Sequence, residues 1–115
     1  MNFDLEERTA KFGEDVIVFL RTIPRDEITR PLISQLIRSA TSVGANYCEA
    51  NEAASKKDFR NKVCISRKEA HESKHWLRMV AKAVPKSAKR ARELWKEAHE
   101  LTLIFASITK KCSPS

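Results

Sequence analysis

Leu5, Thr9, Phe12, Val16, Phe19 and Ile23 follow one another at alternating spacings of four and three, and three later stretches repeat the pattern. An α-helix turns by about 100° per residue, so each set forms one stripe, whereas a half-buried strand needs a period of two. The second stretch carries Leu32, Leu36, Ala40, Val43, Tyr47, Ala50 and Ala54. The third carries Phe59, Val63, Ser66, Ala70, Ser73, Leu77 and Val80, and the fourth Ala91, Leu94, Ala98, Leu101, Phe105 and Ile108. Two Gly and four Pro in 115 residues leave too little turn chemistry for a strand-rich fold. Punctuation falls between the stripes. Pro24 ends the first helix, Thr29 reads as the N-cap of the second, and Pro31 is tolerated in its first turn. Ser55-Lys56-Lys57-Asp58 resembles a capping box with Asp in place of Glu; Pro85 stops the third helix and Ser87 can cap the fourth. The predicted helices run over about 4–22, 30–54, 56–84 and 88–110. Near-heptad seams and short connections predict an all-α, antiparallel up-down four-helix bundle. It forms one domain over 2–111, with 112–115 a disordered tail.

No apolar run approaches the ~20 residues of a membrane span. The opening MNFDLEERTA is acidic where a signal peptide is basic. Cys48, Cys64 and Cys112 are odd in number and form no CxxC pair, which reads as reduced thiols in a cytoplasmic protein. The formal charge of +7 is unevenly spread. Residues 1–55 carry six Lys/Arg against nine Asp/Glu, a net of −3; the remainder carries sixteen against six, a net of +10. Such asymmetry points to a polyanionic partner for the second half.

Fourteen of those sixteen cations are Lys56, Lys57, Arg60, Lys62, Arg67, Lys68, Lys74, Arg78 and Lys82 on the third helix, then Lys86, Lys89, Arg90, Arg92 and Lys96 at the turn into the fourth. They predict a continuous track along one flank and one end of the bundle. Trp76 and Trp95 lie at the edges of apolar stripes and read as core or interface residues. A track without exposed aromatics suits phosphate contacts and shape recognition better than base stacking.

The second helix carries an unusual stripe. Gln35, Ser39, Ser42, Asn46 and Glu49 are spaced by four, three, four and three, centred roughly 100° from the apolar stripe. Small hydrogen-bonding residues let another helix approach closely, and a buried polar group left unpaired costs about 1–3 kcal/mol. The stripe must therefore meet donors and acceptors. Arg38 lies beside it, and Glu69 and Glu72 flank the stripe of the third helix. Arg38, Asn46, Glu49, Glu69 and Glu72 are thus expected to form a polar network between these helices, within a subunit or at a subunit contact.

His71-Glu72-Ser73-Lys74-His75 matches HExxH, the zinc-protease motif. Its helical setting argues against that chemistry. Both His residues point away from the apolar stripe, among Arg60, Arg67, Lys68, Arg78 and Lys82, while Glu72 lies on another flank. A zinc ion there would have no second shell, and no strand is available to bind a peptide. Glu72-x-x-His75 is half of a di-iron bundle motif, which requires inward-facing ligands on several helices. With no glycine-rich phosphate loop and no nucleophile–base pair, the expectation is a protein without catalysis, cofactor or metal.

Gln35-Leu-Ile-Arg-Ser-Ala-Thr-Ser-Val-Gly-Ala-Asn-Tyr-Cys-Glu-Ala50, Ser55-Lys-Lys-Asp-Phe59 and Lys68-Glu-Ala-His-Glu-Ser-Lys-His-Trp-Leu77 resemble the bacterial "four helix bundle protein" family. Its members include proteins encoded in intervening sequences of 23S rRNA genes, and it is related to the accessory protein of diversity-generating retroelements. Asp4-Leu5, Arg8-Thr9 and Phe12 are similar to the family's start, so the resemblance spans about 4–82. It implies a left-handed four-helix subunit, a barrel-like homopentamer and a basic surface that binds nucleic acid. In the retroelement relative it also implies binding to a reverse transcriptase. The first expectation is therefore an oligomeric scaffold for structured RNA or RNA/DNA, accessory to a reverse transcriptase or ribonucleoprotein. The alternative is an adaptor whose basic face meets an acidic protein.

Overall fold

A computed structural model describes residues 4–111, which form α1 (Leu5–Arg21), α2 (Thr29–Asn51), α3 (Lys56–Ala83) and α4 (Ala88–Lys111), with a 3₁₀ turn at Pro85–Ser87 before α4. The expected tail at 112–115, with Cys112, lies outside the described residues. Cross-helix contacts fix the directions. Gly44 abuts Thr9 and Gly13 abuts Thr41, so α1 and α2 are antiparallel. Arg38 meets Glu72 while Glu49 meets Lys62, and Lys74 meets His99 while Arg60 reaches Thr109. Arg8 meets Glu97 and Asp15 approaches Arg90, which closes the ring from α1 to α4. The chain is an up-down four-helix bundle with the α1–α2 and α3–α4 connections at one end.

Phe12, Val16, Phe19, Leu36, Val43, Val63, Leu77, Val80, Leu94, Leu101 and Phe105 fill the core. Every member of the four stripes is buried or half-buried except Ala54, which lies beyond the end of α2. Ser39, Ser66 and Ser73 are fully buried where α2 meets α3. The Ser66 hydroxyl donates to the Val43 carbonyl at 2.9 Å, and the Ser39 and Ser73 hydroxyls lie 2.9 Å apart. Gly44 is needed for a close approach: a Cβ there would stand 3.3 Å from the Thr9 carbonyl carbon and hydroxyl.

The ends agree with the sequence reading to within one residue except at the C-terminus of α2, and the caps of α2 and α4 differ. α2 stops at Asn51 rather than near 54, because Ser55 is extended (φ −147°, ψ 163°) to cap α3, and residues 52–55 must reverse the chain. Ser55 accepts from the Asp58 amide at 3.0 Å. Ser87 donates its hydroxyl to the Val84 carbonyl, within the 3₁₀ turn. Thr29 is the first residue of α2 rather than its cap, and Asp26 does the capping. One Asp26 carboxylate oxygen accepts from the amides of Ile28 and Thr29 at 2.8 Å, while the Thr29 hydroxyl accepts from the Asp26 amide at 2.9 Å. This reciprocal arrangement, with those backbone amides as its main cause, holds the Asp26 carboxyl below the usual range. A depressed carboxylate stabilises the fold above its unfolded pKa, and that contribution is lost as pH falls through the folded value. Asp26→Ala is expected to lower the melting temperature at pH 7, with the gap narrowing below about pH 4. Thermal melts of both proteins across pH 3–7 check this, and a gap that widens on acidification would contradict it.

Among the described residues no helix is long and apolar enough to cross a membrane. Cys48 and Cys64 are free thiols. Hydrogen bonding to Glu6 pushes the Cys48 thiol up, away from the reactive thiolate.

Candidate nucleic-acid interface

α3 presents three different flanks. Toward α2 it offers Glu69 and Glu72, and both are met by Arg38. The guanidinium reaches the two Glu69 oxygens at 3.2 and 3.3 Å and bonds Glu72; Gln35 accepts from Arg38 Nε at 3.5 Å. Trp76 Nε1–H donates to the same Glu72 carboxylate at 3.1 Å. Asn46 and Glu49 stay outside this cluster. Asn46 lies eight residues beyond Arg38, about 12 Å along the helix, and donates to the Ser42 carbonyl at 2.9 Å. Glu49 pairs with Lys62 at 3.1 Å, and the Ser42 hydroxyl donates to the Arg38 carbonyl at 2.7 Å. The predicted network is therefore three separate units: a charged cluster, a buried serine pair and a distal ion pair. With Arg38 half exposed, its ion pairs are worth roughly 0–1 kcal/mol. Their larger effect is to neutralise the acids of α3 on one side.

The outer flank carries Lys57, Lys68, His71, His75 and Lys82, all exposed, and the flank toward α4 carries Lys56, Arg60, Arg67, Lys74 and Arg78. Glu72 is held by Arg38 and Trp76, and His75 packs edge-on against Trp76 at 4.9 Å, so the HExxH residues do not converge on a common point. Among the described residues no group of three or more His, Cys, Asp or Glu is arranged to hold a metal ion. Two cations of the α4 flank have structural partners. Arg60 donates to the Thr109 carbonyl near the end of α4, and Lys74 bonds His99 Nδ1 at 3.1 Å.

α4 divides its charges. Toward α1 it places Glu93, Glu97 and Glu100 along a cleft of about 740 Å³. There Arg8 makes a two-pronged ion pair with Glu97 at 2.7 and 2.8 Å and reaches Glu100 at 3.2 Å. The Glu97 hydrogen bonds push the Arg8 guanidinium above its ordinary range and fix its charge. Arg90 belongs to this cleft, bonded to Glu93 at 3.0 Å and 4.0 Å from Asp15, so it stands apart from the track predicted for it. Toward α3 and solvent, α4 places Arg92, Trp95, Lys96 and His99, with Lys86 and Lys89 exposed just before.

Three residues join this face that the sequence reading did not place on it. Arg21 and Arg30, exposed in the acidic first half, lie at the same end of the bundle as Lys82, Lys86 and Lys89. Only the up-down topology brings them there. Trp95, read as core or interface, is 37% exposed, stacked on His99 at 5.2 Å with the Lys74 ammonium 5.1 Å from its ring centre. Its i,i+4 spacing to His99, on the flank shared with Arg92, was the available signal.

The sequence matches the family model described as "23S rRNA-intervening sequence protein" over residues 1–107. The chain belongs to this family. A solved structure from the S23 ribosomal protein family of Bacteroides thetaiotaomicron VPI-5482, described as a protein of unknown function, is similar along nearly its whole length. It is 26% identical, with a TM-score of 0.79, and the match covers 91% of this chain and 97% of that one. No curated protein matches the chain. That structure and this chain thus share one fold.

Proposed function

We propose that the chain is a non-enzymatic, cytoplasmic, homo-oligomeric scaffold that binds structured RNA or RNA/DNA through the outer and α4-side flanks of α3. One observation carries this reading: the charges are sorted. Apart from Asp58 in the first turn of α3, the acids of α3 and α4 face α1 or Arg38, while Lys57, Arg67, Lys68, Arg78, Lys82 and Arg92 are exposed without an ion-pair partner among the described residues. A surface of that kind attracts phosphates and releases their counterions. The family description names 23S rRNA, a setting in which an RNA partner is at hand.

Self-assembly, with five subunits as the number the family resemblance implies, is supported by uncovered apolar surface. Val18 on α1 and Leu103 on α4 are 65% and 56% exposed. Ile17 borders a groove of about 490 Å³ lined by Ala10, Gly13, Thr41, Gly44 and Ala45, where small residues allow another helix to come close. A ring would repeat the basic face around its circumference and raise its avidity for a long polyanion. In this role the scaffold would present RNA to a second protein such as a reverse transcriptase.

Native mass spectrometry at low salt, with and without a structured RNA, tests the proposal. A metal-free ring near five subunits that gains RNA mass is expected. A monomer that ignores RNA would overturn it. Binding of an acidic protein that unrelated RNA cannot displace would favour the adaptor reading instead.

A further inference from the structure

The basic face contains one place shaped for something other than phosphate. Between α3 and α4 lies a shallow depression of about 180 Å³. Ala81, Ala88 and Ala91 form its floor, Arg78 and Arg92 stand one on each helix, and Trp95 closes one side. Among the described residues no acidic side chain lines it. Leu77, almost fully buried, lines it as well, and together with the three alanines it makes the floor apolar. Trp95 is fixed in place: His99 stacks one helical turn further along α4 at 5.2 Å with ring planes 15° apart, and Lys74 sits over the indole. The depression lies on the opposite, N-terminal side of Trp95 along α4. The other tryptophan does not share this setting, because Trp76 is half-buried with its N–H bonded to Glu72.

We infer that this depression takes an unpaired nucleobase of the bound RNA, stacked beside Trp95, with the phosphates on either side of that base held by Arg78 and Arg92. The inference rests on the RNA-binding reading above and narrows it. Aromatic rings stack with any base because every base has a π-face, so this slot selects unpaired nucleotides over paired ones rather than one sequence over another. Two guanidinium groups on the rims match the charge and the planar, two-pronged bonding of phosphate oxygens. Lys57, Lys68 and Lys82 on the outer flank of α3 then hold the adjoining helical part of the RNA through its backbone. A bulge or loop next to a stem therefore fits the face better than either element alone.

Two labelled RNAs of equal length and charge separate the possibilities: a hairpin with a single-nucleotide bulge and a fully paired duplex. Binding is measured by fluorescence anisotropy with the full chain in its native assembly. The wild type is expected to prefer the bulged RNA. Trp95→Ala is expected to weaken bulged-RNA binding about tenfold and to leave duplex binding unchanged, while Trp95→Phe retains the preference. Ala88→Leu, which fills the slot and keeps Trp95, is expected to remove the same preference, so a folding defect in one variant does not decide the matter. Equal binding of both RNAs by the wild type, untouched by Trp95→Ala, would overturn the inference and leave the RNA-binding reading standing. Failure of the wild type to bind either RNA would defeat that reading itself. A drop in assembly size with Trp95→Ala would mean that a second copy of the chain covers the slot, which also overturns the inference.

Discussion

Phe105→Ala is expected to lower the unfolding free energy by about 3–5 kcal/mol, the cost of emptying a core aromatic site. Phe105 has no exposed surface, and its ring reaches from α4 to Tyr47 of α2, with centroids 5.9 Å apart. It thus ties together α2 and α4, one of the two diagonal pairs of the ring. Its neighbours are held by their own helices and cannot collapse far into the gap, so most of the cavity would persist. A small domain is stable by only about 5–15 kcal/mol, so this single change removes much of the margin. Tyr47 reports on the same site, because burial pushes its phenol up, with Glu6 and Asp4 adding to the effect. Urea unfolding followed by circular dichroism measures the loss. A deficit below about 1 kcal/mol would contradict the placement of Phe105 at the centre of the bundle.

The second large effect concerns the basic face. Reversing Arg67, Lys68, Arg78 and Lys82 together to Glu is expected to weaken binding of a structured RNA at least about a hundredfold at physiological salt, because each lost phosphate contact removes both attraction and counterion release. All four are exposed and free of ion pairs among the described residues, so the fold is expected to survive. A pair of reversals off the face, Lys11→Glu and Lys62→Glu, shifts the charge by half as much as the quadruple and is expected to cost less than about threefold. These two side chains are paired with Asp15 and Glu49, and they lie on other flanks. Equal losses per reversed charge in the two variants would show that only net charge matters and that α3 forms no specific face.

How far the sequence reading reached follows from what a helical period encodes. A spacing of three and four fixes the centre of the buried stripe, and Ser66 and Ser73 were placed correctly because their positions, not their polarity, decide burial. The same period does not say which neighbouring helix lies to the left or right of the stripe. That is why Arg90 was grouped with Arg92, although α4 turns one toward α1 and the other toward α3. Reach along the helix axis was a second gap. Arg38 lies beside the stripe that holds Glu49, yet about 16 Å of rise separates them, so each found its own partner. Asp26 was missed as a cap because Thr29, three residues later, carries an equally suitable side chain. Their roles are set by which of them closes the turn after Pro24, whose carbonyl accepts from the Thr29 hydroxyl at 2.6 Å.

The salt dependence of RNA binding tests the central claim most directly. Anisotropy titrations of a labelled hairpin between about 50 and 300 mM salt are expected to give a plot of log affinity against log salt with a slope of about −3 or steeper, as four or more phosphate contacts require. The quadruple variant is expected to flatten it. A slope near zero, or no binding at the lowest salt, would contradict the account.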